Sequence, residues 1–201
     1  MLHVGLTGGL ASGKSFVGRA LEDLGCYLIQ ADELGRQVIE QGGETYEAVV
    51  ATFGKEILDP GGAINRKRLA AIVFPDLQQL ARLNALIHPH VKIREKALVA
   101  EFAREHPDGI AVTEAAILVE TGSYKDYDCL IVAVCRPEQQ IERAMERDGA
   151  SREEVLNRLR RQMPLDDKVK YADFVIDTSG SKENTLAQTR NVYEALRRLN
   201  P

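Results

Sequence analysis

The sequence predicts an α/β fold, a largely parallel five-stranded sheet with helices packed against it. Short apolar runs at residues 2–6, 26–29, 110–112, 129–134 and 174–176 alternate with helical periodicity, the rhythm of strands joined by crossovers. Polar residues stand beside these runs, with Asp32, Arg136 and Asp177 following three of them and Glu114 and Glu120 flanking another. A parallel sheet places its ligands at such strand ends. The first run leads directly into a glycine-rich turn, Gly-Leu-Thr-Gly-Gly-Leu-Ala-Ser-Gly-Lys-Ser at 5–15, and then into a helical stretch at 16–24.

That turn contains GxxxxGK[ST], completed by Gly8, Gly13, Lys14 and Ser15. Strand, loop and helix together form the context in which the motif binds a nucleoside triphosphate. Its glycines let backbone N–H groups approach phosphate closely, and the helix N-terminus adds partial positive charge. The candidate nucleotide-binding residues are therefore Gly8, Gly9, Leu10, Ala11, Ser12, Gly13, Lys14, Ser15 and Phe16. Lys14 is placed to reach the β- and γ-phosphates, and the Ser15 hydroxyl to hold Mg²⁺.

A chain of 201 residues can bury one sizeable core, so one domain is expected over 1–201. A net charge of -4 argues against broad nucleic-acid binding, while leaving small polyanions open. Cys26, Cys129 and Cys135 are odd in number and lack CxxC spacing, so buried, reduced thiols are expected. No apolar run reaches the roughly 18 residues of a membrane span, and no basic leader precedes the first strand; the expected location is the cytoplasm. Two stretches exceed the minimal alternation and read as inserts packed on the core: a helical one at 33–107 and a charged one at 143–170.

The first insert opens at Asp32. An Asp at a helix start caps it, whereas a carboxylate at a strand end opposite a triphosphate accepts the proton of an attacking hydroxyl. Arg36, one turn on, pairs with a substrate phosphate or is solvated. At 63–69, Ala-Ile-Asn-Arg-Lys-Arg-Leu offers an Asn cap followed by three bases, Arg66 among them, where the helix dipole favours acids. An anionic partner or an exposed helix start would each explain them. Pro89 biases His88 away from helical geometry, so a helix break displaying His88 is expected there. In the second insert, Ser151 and Glu154 form a capping box. Arg143 with Arg147, and Arg158 with Arg161, are spaced to share helix faces. A basic hairpin of this kind can close over a triphosphate as a lid.

These pieces together resemble the dephospho-coenzyme A kinase family over nearly the whole chain. The resemblance rests on the loop at 5–15, Ala31-Asp32, Asn65-Arg66, Val73-Phe74, His88-Pro89 and Ile-Leu-Val-Glu at 117–120. It continues through Arg147-Asp148, Arg158 with Gln162, Ala172-Asp173 and Ile176-Asp177. It implies a P-loop kinase fold with a helical acceptor-binding insert and a helical lid. The implied reaction moves the γ-phosphoryl group of ATP, with Mg²⁺, to the ribose 3′-hydroxyl of dephospho-CoA. Asp32 corresponds to the family's proposed general base, with Lys14 and Arg147 completing the catalytic set. Arg143 and Arg147 match lid-side arginines on the ATP; Asp32, Arg36, Arg66 and His88 line the acceptor region.

The chain also departs from the family pattern. Gln30 replaces the second acid often found two residues before the base, so Asp32 is expected to act alone. Ala116 stands at a common Pro, and Asp177-Thr178-Ser179-Gly180 replaces a frequent Asp-Asn-x-Gly. Two other classes remain: a different P-loop small-molecule kinase, and a nucleotide-dependent switch. For the latter a guanine-reading NKxD is absent, since Asp-Lys-Val-Lys at 167–170 lacks its Asn and final Asp.

Overall fold

A computed structural model describes residues 1–200, and in it all five apolar runs form strands. Contacts divide the chain into two compact units, Met1–Gln30 with Val99–Pro201, and Ala31–Leu98.

The first unit holds β1 (Leu2–Gly8), β2 (Tyr27–Gln30), β3 (Ile110–Glu114), β4 (Cys129–Val134) and β5 (Phe174–Asp177). They form one sheet in the order β2-β3-β1-β4-β5. Every pairing is parallel. Central β1 is covered on both faces, with Val4 and Leu6 buried on one and Gly5 and Thr7 on the other. Helix α1 (Lys14–Asp23) contributes Val17 and Leu21 to the core beneath the sheet, and α9 (Lys182–Leu199) contributes Val192 and Leu196. The strand order reverses around β1, so the turn leaving β1 sits where such sheets bind ligands. All three cysteines are free and buried, as their apolar surroundings suggested. Burial pushes the Cys26 thiol up to about 12.

The charged excursion forms α6 (Pro137–Asp148), α7 (Arg152–Leu159) and α8 (Leu165–Val169). The capping box starts α7 as expected: the Glu154 N–H donates to Ser151 Oγ at 3.3 Å, and the Ser151 N–H to Glu154 Oε2 at 2.8 Å. Ile141, Ala144 and Val155 pair α6 with α7, and Leu10 and Ala11 of the glycine-rich turn pack against them.

The second unit contains α2 (Ala31–Val38), α3 (Tyr46–Phe53), α4 (Arg66–Val73) and most of α5 (Leu77–Glu105). Val38, Val49, Phe53, Ile57, Leu69 and Leu83 form its core. Asn65 caps α4, its side chain accepting from the Lys67 and Arg68 N–H groups, each at 3.1 Å.

Two local expectations are corrected here. Helix α2 already begins at Ala31, so Asp32 lies inside its first turn rather than at the N-cap, where its charge complements the dipole. Pro89 does not break the chain; α5 runs through it. An interior proline costs about 3 kcal/mol of helix propensity. Side chains on both sides, Leu86, Ile87 and Val91, pack against the unit's core and hold the axis. One turn later Arg94 donates to both Glu44 carboxylate oxygens at 2.8 Å and to Gln37 Oε1 at 3.1 Å. Packing and this anchor outweigh the local preference that places a break at His88.

Candidate active site

The glycine-rich turn has the geometry of an anion nest. Gly13 takes φ 81 at the N-cap of α1, and Ala11 takes φ 53, the one positive φ outside glycine among the described residues. Such an alanine conformation costs on the order of 1 kcal/mol and persists where surroundings enforce it. Gly13 admits no side chain, since a Cβ would lie 2.8 Å from Thr178 Oγ1. At Gly8 a Cβ would lie 2.7 Å from the Ala133 carbonyl. The Ser12 N–H turns back to the Gly9 carbonyl at 3.2 Å, and the Phe16 N–H to that of Gly13 at 3.0 Å. Among the described residues the N–H groups of Gly13, Lys14 and Ser15 donate to no protein acceptor. The first turn of α1 also lacks an acid. Buried Ser12 Oγ is without a partner as well. Unpaired donors at a helix N-terminus suit phosphate oxygens.

Glu114, at the carboxyl end of β3, lies against the phosphate loop and is not among the sequence-derived candidates. It is buried, and its Oε1 accepts from Lys14 Nζ at 2.5 Å and from Ser15 Oγ at 2.6 Å. Its Oε2 is buried without a partner. Gly18 of α1 makes room for it, because a Cβ there would come within 3.1 Å of Oε2. Glu114 is also the register partner of Gln30 on β2. The carboxylate missing at position 30 thus has a counterpart one strand away. The available signal was an acid closing an apolar strand run; its pairing with a lysine 100 positions earlier is tertiary information.

From α6, Arg143 donates from Nη1 to Thr178 Oγ1 at 3.0 Å and from Nη2 to the Thr178 carbonyl at 2.8 Å. Thr178 in turn donates to the Ser12 carbonyl at 2.9 Å, so Arg143 braces the loop after β5 against the nest. Arg147 points elsewhere. It grips Asp148 with two hydrogen bonds, at 2.7 and 3.0 Å, while Arg158 of α7 reaches the same carboxylate at 2.5 Å. The Arg147 hydrogen bond, followed by that from Arg158, holds the Asp148 carboxyl far below its ordinary value of 3.8. A depressed acid contributes stability above its unfolded value and loses it as pH falls through the folded one. The difference in thermal midpoint between wild type and Asp148→Asn is therefore expected to be full near pH 6, and to shrink once pH drops below about 4. A difference independent of pH would remove the ion triad from the stability of the α6–α7 hairpin.

Within the helical unit, Asp32 is exposed, and its carboxylate has no hydrogen-bond or ion-pair partner among the described residues. Arg36 pairs with Glu33 at 3.1 Å and Arg66 with Glu40 at 3.4 Å, both at the surface. His88 is half-buried in α5, and burial, followed by the nearby charge of Lys92, lowers its pKa.

Comparison with known proteins places the chain in a family. A family model described as dephospho-CoA kinase matches residues 2–184. A dephospho-CoA kinase of Aquifex aeolicus is 44% identical over 198 residues, covering 98% of this chain and 99% of the relative. A solved structure from Thermus thermophilus superposes with a TM-score of 0.81 at 31% identity, covering 97% of each chain. A dephospho-CoA kinase from Campylobacter jejuni superposes with a TM-score of 0.70 at 26% identity, covering 99% of this chain and 98% of that one. With the phosphate loop in place and family-level similarity along its length, the chain belongs to the dephospho-CoA kinase family.

Proposed function

We propose that this chain transfers the γ-phosphoryl group of ATP to the 3′-hydroxyl of dephospho-CoA, giving CoA and ADP, the last step of coenzyme A biosynthesis. The observation that carries the reading is the phosphate nest, with three unpaired N–H groups and with Lys14 and Ser15 held on Glu114 beside it. ATP exchanges partners with Lys14: the ammonium leaves Glu114 for the β- and γ-phosphates, and the loop N–H groups take up the remaining oxygens. Phosphoryl transfer needs charge neutralisation and alignment rather than a covalent intermediate.

Ser15 Oγ and the Glu114 carboxylate are hard oxygen donors that suit Mg²⁺, and unpartnered Oε2 supplies free coordinating capacity. Among the described residues no cluster of three His, Cys, Asp or Glu forms a protein cage. That fits an ion drawing most ligands from phosphate and water. When bound, Mg²⁺ neutralises part of the polyphosphate charge.

Asp32, with no internal partner to compete, accepts the proton of the ribose hydroxyl as it attacks. Arg143 holds the nucleotide side, and Arg147 joins the transferring phosphate by exchanging Asp148 for it. Arg36, Arg66 and His88 bind the acceptor; the two exposed guanidinium groups suit its diphosphate bridge. Three free thiols fit the reducing cytoplasm. Among the described residues no helix is long and apolar enough to cross a membrane.

The test is ADP release measured side by side with dephospho-CoA, with nucleosides and with no acceptor. Release dependent on dephospho-CoA is expected. Equal release without acceptor would replace transfer with a hydrolytic switch, and preference for a nucleoside would move the chain to another kinase activity.

A further inference from the structure

Among the described residues the largest fully buried side chain is a lysine outside the proposed set of site residues. Lys168, on short α8, is 0% exposed. Moving an ammonium out of water is costly unless its donors are satisfied, and Lys168 has three acceptors. They are the Ala116 carbonyl at 2.7 Å, Glu120 Oε1 at 2.8 Å and the Gly8 carbonyl at 3.2 Å. Burial lowers its pKa, and the Glu120 hydrogen bond opposes that shift.

Gly8 is the last residue of β1 and the first of the phosphate motif. In a planar trans peptide the carbonyl of one residue and the N–H of the next point in opposite directions. A cation fixed on the Gly8 carbonyl therefore sets the direction of the Gly9 N–H. The same logic repeats two residues on, where buried Gln140 donates to the Leu10 carbonyl at 2.8 Å and so orients the Ala11 N–H. A nest works only while its N–H groups face the anion and its carbonyls face away. Around Lys168 the contacts link up further, since Glu120 Oε1 accepts the Met163 N–H at 3.2 Å and Gln162 Oε1 accepts the Leu10 N–H at 2.9 Å.

We propose that Lys168 is a positioning residue for the triphosphate: seated by Glu120, its ammonium pins the Gly8 carbonyl and thereby aims the Gly9 N–H into the phosphate nest. This rests on the reading that residues 8–15 bind the phosphates of ATP. It assigns α8 a task beyond covering the site, because the end of the lid region governs the geometry of the loop.

The experiment compares the binding of ATP and of adenosine, the latter read by competition against ATP, in wild type, Lys168→Met and Lys14→Ala. In Lys168→Met the Kd for ATP is expected to rise about tenfold, the loss of one charge-assisted hydrogen bond, while that for adenosine stays within about twofold. A purely structural lysine would weaken both ligands together, and that result overturns the proposal, as does unchanged ATP binding. If Lys168→Met does not fold, Glu120→Gln replaces it; this change keeps an acceptor for Met163 but removes the ion pair. The same selective loss of ATP is expected, and its absence overturns the proposal. Lys14→Ala separates the two levels. If it leaves ATP binding intact, the phosphate reading itself fails; if it weakens ATP binding while the Lys168 and Glu120 variants do not, only the positioning role fails.

Discussion

Replacing Lys14 with Met lowers kcat/KM for ATP by about 10³-fold, the scale of removing a preorganised charge from a phosphoryl-transfer transition state. The substitution has a second consequence. Lys14 Nζ lies 2.5 Å from Glu114 Oε1, and the two side chains are 11% and 5% exposed. Without the lysine, buried Glu114 keeps only the Ser15 hydroxyl as donor, and an orphaned buried charge costs on the order of 3 kcal/mol. Lys14→Met is therefore expected to lower the thermal midpoint as well as turnover. The double variant Lys14→Met with Glu114→Gln separates stability from turnover, because it removes the stranded charge but restores no cation to the phosphates and also lacks the proposed Mg²⁺ carboxylate. Its thermal midpoint recovers and its turnover does not. Recovery of turnover would mean that Lys14 serves Glu114 rather than ATP.

Asp32→Asn lowers kcat by about 10³-fold, within the usual range for loss of a positioned general base, with little change in either KM. The surroundings of Asp32 make this a clean experiment. Its side chain is exposed and bonds to nothing among the described residues, so the amide leaves no buried group unsatisfied. The only structural loss is the interaction of a first-turn acid with the helix dipole, a few tenths of a kcal/mol at such a site. A fall in kcat with an unchanged thermal midpoint isolates the proton transfer. Near-normal turnover would remove Asp32 from the chemistry.

Features governed by neighbouring residues were legible in the sequence. The five strands follow from apolar runs bounded by turn residues, and the caps at Asn65 and Ser151 from side chains that reach N–H groups two or three positions on. The phosphate loop is equally local in its backbone, Gly13 taking a positive φ where the turn enters α1. What escaped depends on the sheet bringing distant segments together. Glu114 stood out only as an acid at a strand end until β3 paired with β1 and set it against Lys14. Lys168 lies in a charged five-residue helix whose pattern reads as surface, yet it is buried against carbonyls from two other segments. Arg143 and Arg147 share the spacing of one helix face, but Thr178 and Asp148 draw their guanidinium groups apart. At Pro89 a valid local rule lost to packing on both sides of the residue.

The central claim is that this scaffold directs the γ-phosphoryl group of ATP to one hydroxyl of one acceptor. Following the label from γ-labelled ATP into dephospho-CoA, and locating it on the ribose by phosphorus–proton NMR correlation, tests that claim most directly. Label in a single phosphomonoester at the 3′ position, with one ADP formed per product, is the predicted result. Label released as inorganic phosphate, or carried on another hydroxyl, would contradict it.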